Sequence, residues 1–362
     1  MDFDNMKIVK KDLSKKVLMI GEYFKNSAPG GMAAVLASYD LYFDDMKFIP
    51  TWKAGSMLTK IIYAIYSYIV FVWKMLFDKD IRIIHIQGAA FASFERNMFF
   101  VHLGKKMGKK VIMHMHCAEF APYYEPSNHK ERILNTINTC DMFFVLSDQW
   151  RDYFESIGVK HEIIVVLNNT IAPPTKIVVE KDEEKIKLLY LGIIGQRKGV
   201  YDLLKVLSQD SDYYRKNIQL RIGGNCEEEK IKATIASYGI GDFVFFEGFV
   251  KGEKKINDLN WADIFILPSY NEGLPIAILE AMSYGMPIIS TDVGGIPVVV
   301  KTDVNGKLIK PGDLTAIKNS LDYYIENPKA VELHGKGSEE LVKPFLPETV
   351  FNTLIDLYNK LL

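Results

Sequence analysis

Short apolar, β-prone runs alternate with helical stretches along the whole chain, and that alternation leaves few folds open. In the first half the runs cover residues 17–20, 83–86, 111–115, 142–146 and 163–167. In the second they cover residues 187–191, 219–222, 243–246, 264–267 and 287–290. Most are apolar throughout instead of alternating with polar residues, which suits parallel strands covered by helices on both faces. Sustained strand–helix alternation predicts an α/β, doubly wound architecture. At 362 residues the chain exceeds what one ordinary core organises, so two such domains are expected. Residues 171–185, IAPPTKIVVEKDEEK, join two prolines to a charge run and read as the exposed linker. The expected domains are residues 1–175 and 176–345. A last helix follows no strand and repeats Val350, Leu354, Leu357 and Leu361 at helical spacing. It could dock on either domain.

Composition narrows the partners. A formal net charge of −1 advertises no nucleic acid. Cys117, Cys140 and Cys226 form no CxxC pair, which argues against a structural zinc site and a disulfide framework. A reducing, cytoplasmic setting is expected, and residues 1–16 carry charges in place of a signal-peptide run. Residues 61–72, IIYAIYSYIVFV, hold no charge between Lys60 and Lys74. They fall short of the roughly 20 apolar residues of a spanning helix. Two readings stand: a buried core helix, or a helix over residues 58–76 lying on the inner face of a membrane. In the second, its tyrosines and Trp73 sit at the interface and its lysines on phosphates.

In open α/β sheets ligands gather where strands end, and four strand ends carry chemistry. The first is LPSYNEGLPIAILEAMSYGMPIIS, residues 267–290. Glu272 lies in the loop ahead of a helix expected to begin at Pro275, where free backbone N–H groups favour an anion. Gly285 ends that helix and Pro287 bars its continuation. Glu280 flanks the apolar arc of Ile276, Ile278, Leu279 and Met282, so it is expected to be half-buried. A carboxylate there needs donors, which the vicinal hydroxyls of a ribose would supply. On residues alone, an N-cap glutamate followed by a surface glutamate would look the same.

The second is LLYLGIIGQRKGVYDLL, residues 188–204. Gly195 and Gly199 permit close backbone approach, and Arg197 and Lys198 could clamp a diphosphate, although a solvated basic loop reads alike. The third is APGGMAAV, residues 28–35, where Gly30 and Gly31 open a helix whose N–H groups could face a phosphate or an acceptor. It is not a GxGxxG fingerprint and gives a dehydrogenase no support. The fourth is VIMHMHCAEF, residues 111–120, where His114 and His116 point the same way. Such a pair could ligate a metal, but no third ligand is recognisable nearby, so a core histidine is the default. His85, at the end of the 83–86 run, is expected to face the acceptor side.

The pattern E-G-L-P-x-x-x-x-E, with P-S-x-x-E-G before it and G-x-P-I after it, resembles the E-x7-E signature of retaining family 4 glycosyltransferases of the GT-B fold. The resemblance is detailed over residues 187–310 and looser elsewhere. It implies two Rossmann-like domains facing a deep cleft, the first binding the acceptor and the second a nucleotide-sugar. Residues 346–362 would cross back to the first domain. It further implies that Glu272, with Gly273 and Leu274 in its loop, lies by the donor sugar and that Glu280 binds the ribose. Lys198 would grip the diphosphate, with Arg197 standing in for an arginine that the family carries at the position of Ile193. Gly30 and Gly31 would close over the donor, and the backbone of Phe249 and Val250 would hold the base. His116 would lie near the transferring sugar, with Cys117 where glycine is usual, and His114 and Asn169 would be structural. Val298 replaces the glutamate usual after a pair like Gly294–Gly295. The activity implied is retaining hexosyl transfer from a UDP- or GDP-sugar to a glycan or lipid-linked acceptor in cell-surface polysaccharide biosynthesis. It would need neither metal nor cofactor. The rival readings are a sugar-nucleotide-binding protein that has lost catalysis, suggested by Ile193 and Val298, and a GT-B-fold epimerase.

Overall fold

The computed structural model describes residues 7–25, 31–116, 119–180 and 184–362, so Gly30 and Cys117 lie outside the described residues. The chain divides into two compact units, Met1–Ile171 with Phe345–Leu362, and Ala172–Pro344.

Unit 1 is built on six strands: β1 (Val17–Glu22), β2 (Lys47–Trp52), β3 (Ile83–Gly88), β4 (Lys110–Met115), β5 (Met142–Val145) and β6 (Ile164–Val166). They lie side by side as β2-β1-β3-β4-β5-β6, every pair parallel. All six residues of β3 are buried, as expected of a central strand covered on both faces. The C-terminal helix Pro347–Leu361 belongs to this unit. Its Phe351 ring packs against Tyr39, Tyr42 and Phe43, and Tyr358 against Phe43 and His85.

Unit 2 carries β7 (Ile186–Leu191), β8 (Ile218–Gly223), β9 (Val244–Gly248), β10 (Ile264–Leu267), β11 (Ile288–Thr291) and β12 (Gly306–Ile309). The order is β12-β11-β10-β7-β8-β9, again all parallel. Counted from its own first strand, this is the order of dinucleotide-binding folds, which reverses direction between β7 and β10. Unit 1 has the other doubly wound order, reversing between β1 and β3. Such reversals leave a crevice at the carboxyl ends of the two flanking strands.

Two strands escape the sequence pattern, β2 and β12, and both are sheet edges. Pro50 sits inside β2, which an edge tolerates because one side of the strand has no ladder to donate to. β12 is four residues, GKLI, too short and too mixed to stand out.

The apolar segment after β2 corrects the core-helix reading. It forms one helix, Met57–Phe77, capped by the Ser56 hydroxyl, and only Ser67, Phe71 and Met75 are buried. Phe71 meets the rings of Phe99 and Phe100. On the other side Leu58, Ile61, Ile65, Ile69, Trp73 and Phe77 are exposed, Ile69 by 64%. The helix is apolar on two faces and the unit covers only one. By length and composition it is also long and apolar enough to cross a membrane.

Candidate functional site

In unit 2 the loops after β7 and β10 meet at the reversal of strand order. Tyr270 N–H donates to the Arg197 carbonyl at 2.8 Å, and Arg197 Nη1 donates to the Asn271 carbonyl at 3.1 Å. Gly199 makes this approach possible: its φ is +71°, and a Cβ there would lie 1.9 Å from the Pro268 carbonyl oxygen. The loops bring Lys198 and Glu272 together, Nζ to Oε1 at 2.5 Å, with side chains only 14% and 7% exposed. The Ser269 hydroxyl donates to the same carboxylate oxygen at 2.7 Å. The loop after β11 closes the third side. Gly294 has φ +54°, a Cβ there would lie 1.7 Å from the Glu272 carbonyl oxygen, and Gly295 N–H donates to the Gly273 carbonyl at 2.5 Å. Glu272 is thus fixed by three loops, in an ion pair that has few other polar partners. A buried pair of this kind is held at a desolvation cost. A phosphate would offer Lys198 an alternative partner, and sugar hydroxyls would offer donors to Glu272.

Beyond Glu272, Leu274 is buried and the helix Ile276–Ser283 begins. Pro275 is its N-cap, so the helix begins one residue later than expected, and Gly285 at φ +79° follows its end. Glu280 is half-buried, as its place beside the apolar arc requires, and Lys255 from the helix Gly252–Trp261 holds its carboxylate at 2.6 Å. Ser269 is the serine of P-S-x-x-E-G, three residues before the glutamate it holds, whereas Lys255 did not stand out in the sequence because it meets Glu280 through the fold. Phe249 is 38% exposed and Val250 is buried after β9. Ile193 and Val298 are exposed, at 47% and 45%, and put no charge on their loops.

In unit 1 three histidines stack across β3 and the end of β4. The His85 and His114 rings lie 5.6 Å apart and the His114 and His116 rings 4.0 Å apart, centre to centre. The third ring, His85, comes from the neighbouring strand, where Gln87 is in register with His114. Among the described residues, no group of three or more His, Cys, Asp or Glu side chains could hold a metal ion. His85 is a correction: it is 0% exposed, and its Nδ1 pairs with the Tyr358 hydroxyl at 2.6 Å. It anchors the C-terminal helix, with Nε2 against the Gln87 side chain, and is closed to solvent. Burial pushes its pKa down to about 3. His114 is equally enclosed, with neither ring nitrogen hydrogen-bonded. His116 lies just past β4, half-buried, with Nε2 paired to the Gln87 amide oxygen. Burial takes its pKa to about 4 against the opposing effect of Asn169, so it is neutral near pH 7. Asn169 is itself buried. Gly31 is the first residue of the helix Gly31–Tyr42.

Two doubly wound parallel sheets in one chain are the architecture of the GT-B fold. The structure superposes on that of HepE from Anabaena in complex with UDP and glucose with a TM-score of 0.73, covering 96% of this chain and 100% of that one at 15% identity. Sucrose-phosphate synthase from Thermosynechococcus elongatus gives 0.73 as well, at 18% identity over 96% and 99% of the two chains. Residues 174–340, nearly all of unit 2, match the model of the family Glycosyl transferases group 1. Among curated relatives the chain is 26% identical over 247 residues to the amylovoran biosynthesis glycosyltransferase AmsK of Erwinia amylovora. It is 29% identical over 205 residues to the lipopolysaccharide 1,6-galactosyltransferase of Escherichia coli. The aligned parts cover 62% and 55% of this chain, and 60% and 55% of those proteins' own lengths.

Proposed function

We propose that the chain transfers a hexosyl group from a UDP- or GDP-sugar, bound in unit 2, to a glycan or lipid-linked acceptor bound in unit 1. The observation that carries this reading is the Lys198–Glu272 pair, buried between the loops of β7 and β10 at the strand reversal. Lys198 and the backbone N–H groups around it stabilise the departing diphosphate, the largest charge that develops in the transfer. Glu272 and His116 orient the sugar, and Glu280 takes the ribose hydroxyls in place of its lysine. Transfer proceeds with retention, and neither a metal ion nor a cofactor takes part. The polysaccharide and lipopolysaccharide enzymes among the relatives support a place in cell-surface glycan assembly. In this reading the protein works in the cytoplasm at the inner face of the membrane, on which the helix Met57–Phe77 rests.

Release of nucleoside diphosphate from a panel of UDP- and GDP-sugars, with and without EDTA, tests the proposal. One donor is expected to be consumed, at least by slow hydrolysis, at the same rate with the chelator present. The exposed Ile193 and Val298 favour one rival, a subunit that binds donor without consuming it. Tight donor binding with no release, even with acceptor supplied, would establish that rival instead.

A further inference from the structure

Buried side chains join the C-terminal helix to His116, which orients the sugar in the proposed reaction. His85 and Gln87 alternate along β3 and share one face of the sheet, as His114 and His116 do at the end of β4. The Gly88 carbonyl takes the His116 backbone N–H at 2.9 Å, so β3 fixes where that residue sits. Its ring is held separately, Nε2 on the Gln87 amide oxygen. Gln87 is itself 1% exposed, and its amide nitrogen lies 3.2 Å from both Met19 Sδ and His85 Nε2. His85 Nδ1 in turn meets the Tyr358 hydroxyl at 2.6 Å.

These contacts leave one assignment of protons. A thioether sulfur accepts hydrogen bonds and cannot donate them, so the amide atom beside Met19 is the NH2 group and the amide oxygen faces His116. That oxygen only accepts, so His116 carries its proton on Nε2. The second amide hydrogen goes to His85 Nε2, which must be the bare nitrogen. The His85 proton is then on Nδ1 and is donated to Tyr358. Three bonds run in one direction, from His116 to Gln87 to His85 to Tyr358, and each polarises the next.

His116 Nδ1 is the free end of this chain. It carries a lone pair, and neither it nor the buried Asn169 Oδ1 has a hydrogen-bond partner among the described residues. Asn169 also acts on the His116 ring. An imidazole without Gln87 could move its proton to Nδ1 and give it to that oxygen instead. The two amides thus favour opposite tautomers, and Gln87 selects between them.

We propose that Gln87 is a positioning residue that holds the His116 ring in one orientation with its proton on Nε2, and that His85 and Tyr358 lock Gln87 for that task. The proposal rests on the transferase reading, in which His116 orients the sugar. Imidazole nitrogen NMR of the full chain with labelled histidines, read beside donor turnover, tests it. In the parent at neutral pH the His116 proton is expected on Nε2. In Gln87→Met, of similar length, it is expected on Nδ1, with turnover lower on the order of tenfold and donor KM changed by no more than about twofold. Tyr358→Phe, which removes one hydroxyl and keeps the ring, is expected to lower turnover in the same sense. An unmoved signal from His102, whose Nε2 meets the Thr136 hydroxyl at 3.1 Å, shows that unit 1 of each variant is folded. The proposal is overturned if the parent proton is on Nδ1, if Gln87→Met leaves tautomer and turnover as they were, or if turnover falls while the tautomer stays. A tautomer that moves in Gln87→Met, in a chain that consumes no donor, would refute the transferase reading and uphold the hold on His116.

Discussion

Lys198 and Glu272 hold each other in a site nearly closed to water. Replacing Lys198 by alanine strands a buried carboxylate, which is expected to cost about 3 kcal/mol of stability in a denaturant titration. In the proposed reaction it also removes on the order of 3 kcal/mol of transition-state stabilisation, about a hundredfold or more in turnover. A Lys198→Ala enzyme with near-normal turnover would refute the role. His85 and His114 carry a second prediction. Burial holds the first at about 3 and the second well below the ordinary 6.5. Both are neutral in the folded chain and gain protons near 6.5 only on unfolding. Their contribution is therefore complete above pH 6.5 and is lost as pH falls from there toward 3. His116, held at about 4, adds to them, so with three such histidines stability at pH 5.5 should be on the order of 4 kcal/mol below that at pH 7.5. An unchanged denaturation midpoint between those two pH values would contradict this. Spacing brought Lys198, Glu272 and Glu280 into view as chemistry. It could not show Lys255 or Gln87, whose partners reach them through the fold, nor that His85 is fully enclosed by Tyr358 of a helix 273 residues away.

At the scale of elements, the helix Met57–Phe77 shows what periodicity leaves open. Both of its faces are apolar, so hydropathy cannot tell which one the protein covers; the packing of Phe71 and Met75 decides that. The uncovered stripe, with Trp73 and with Lys60 and Lys74 beside it, suits an anionic lipid surface. Ile65 and Ile69 are 54% and 64% exposed, so glutamates at both should change stability by no more than about 1 kcal/mol. The same double variant should abolish flotation with anionic liposomes. Flotation that persists in the variant, or is absent in the parent, would exclude the membrane contact. β2 and β12 teach a related lesson: an edge strand is half solvated, so it need not show the continuous apolar run that marks a buried parallel strand.

For the whole molecule, the doubly wound architecture was legible because ten of the twelve strands fall on mostly apolar runs separated by helices. The strand order was not legible, since nothing local records which neighbour a parallel strand chooses. That order is what places the loops after β7 and β10 side by side and makes a grip out of two separate motifs. The central claim is that this grip holds a nucleotide-sugar. Thermal unfolding against a panel of UDP- and GDP-sugars, with Glu280→Ala in parallel, tests it most directly. A donor at a hundred times its dissociation constant adds about 2.7 kcal/mol, enough to raise the melting temperature by several degrees. The account predicts such a rise with one donor and its loss in the variant. No rise with any donor, or an equal rise in Glu280→Ala, would contradict it.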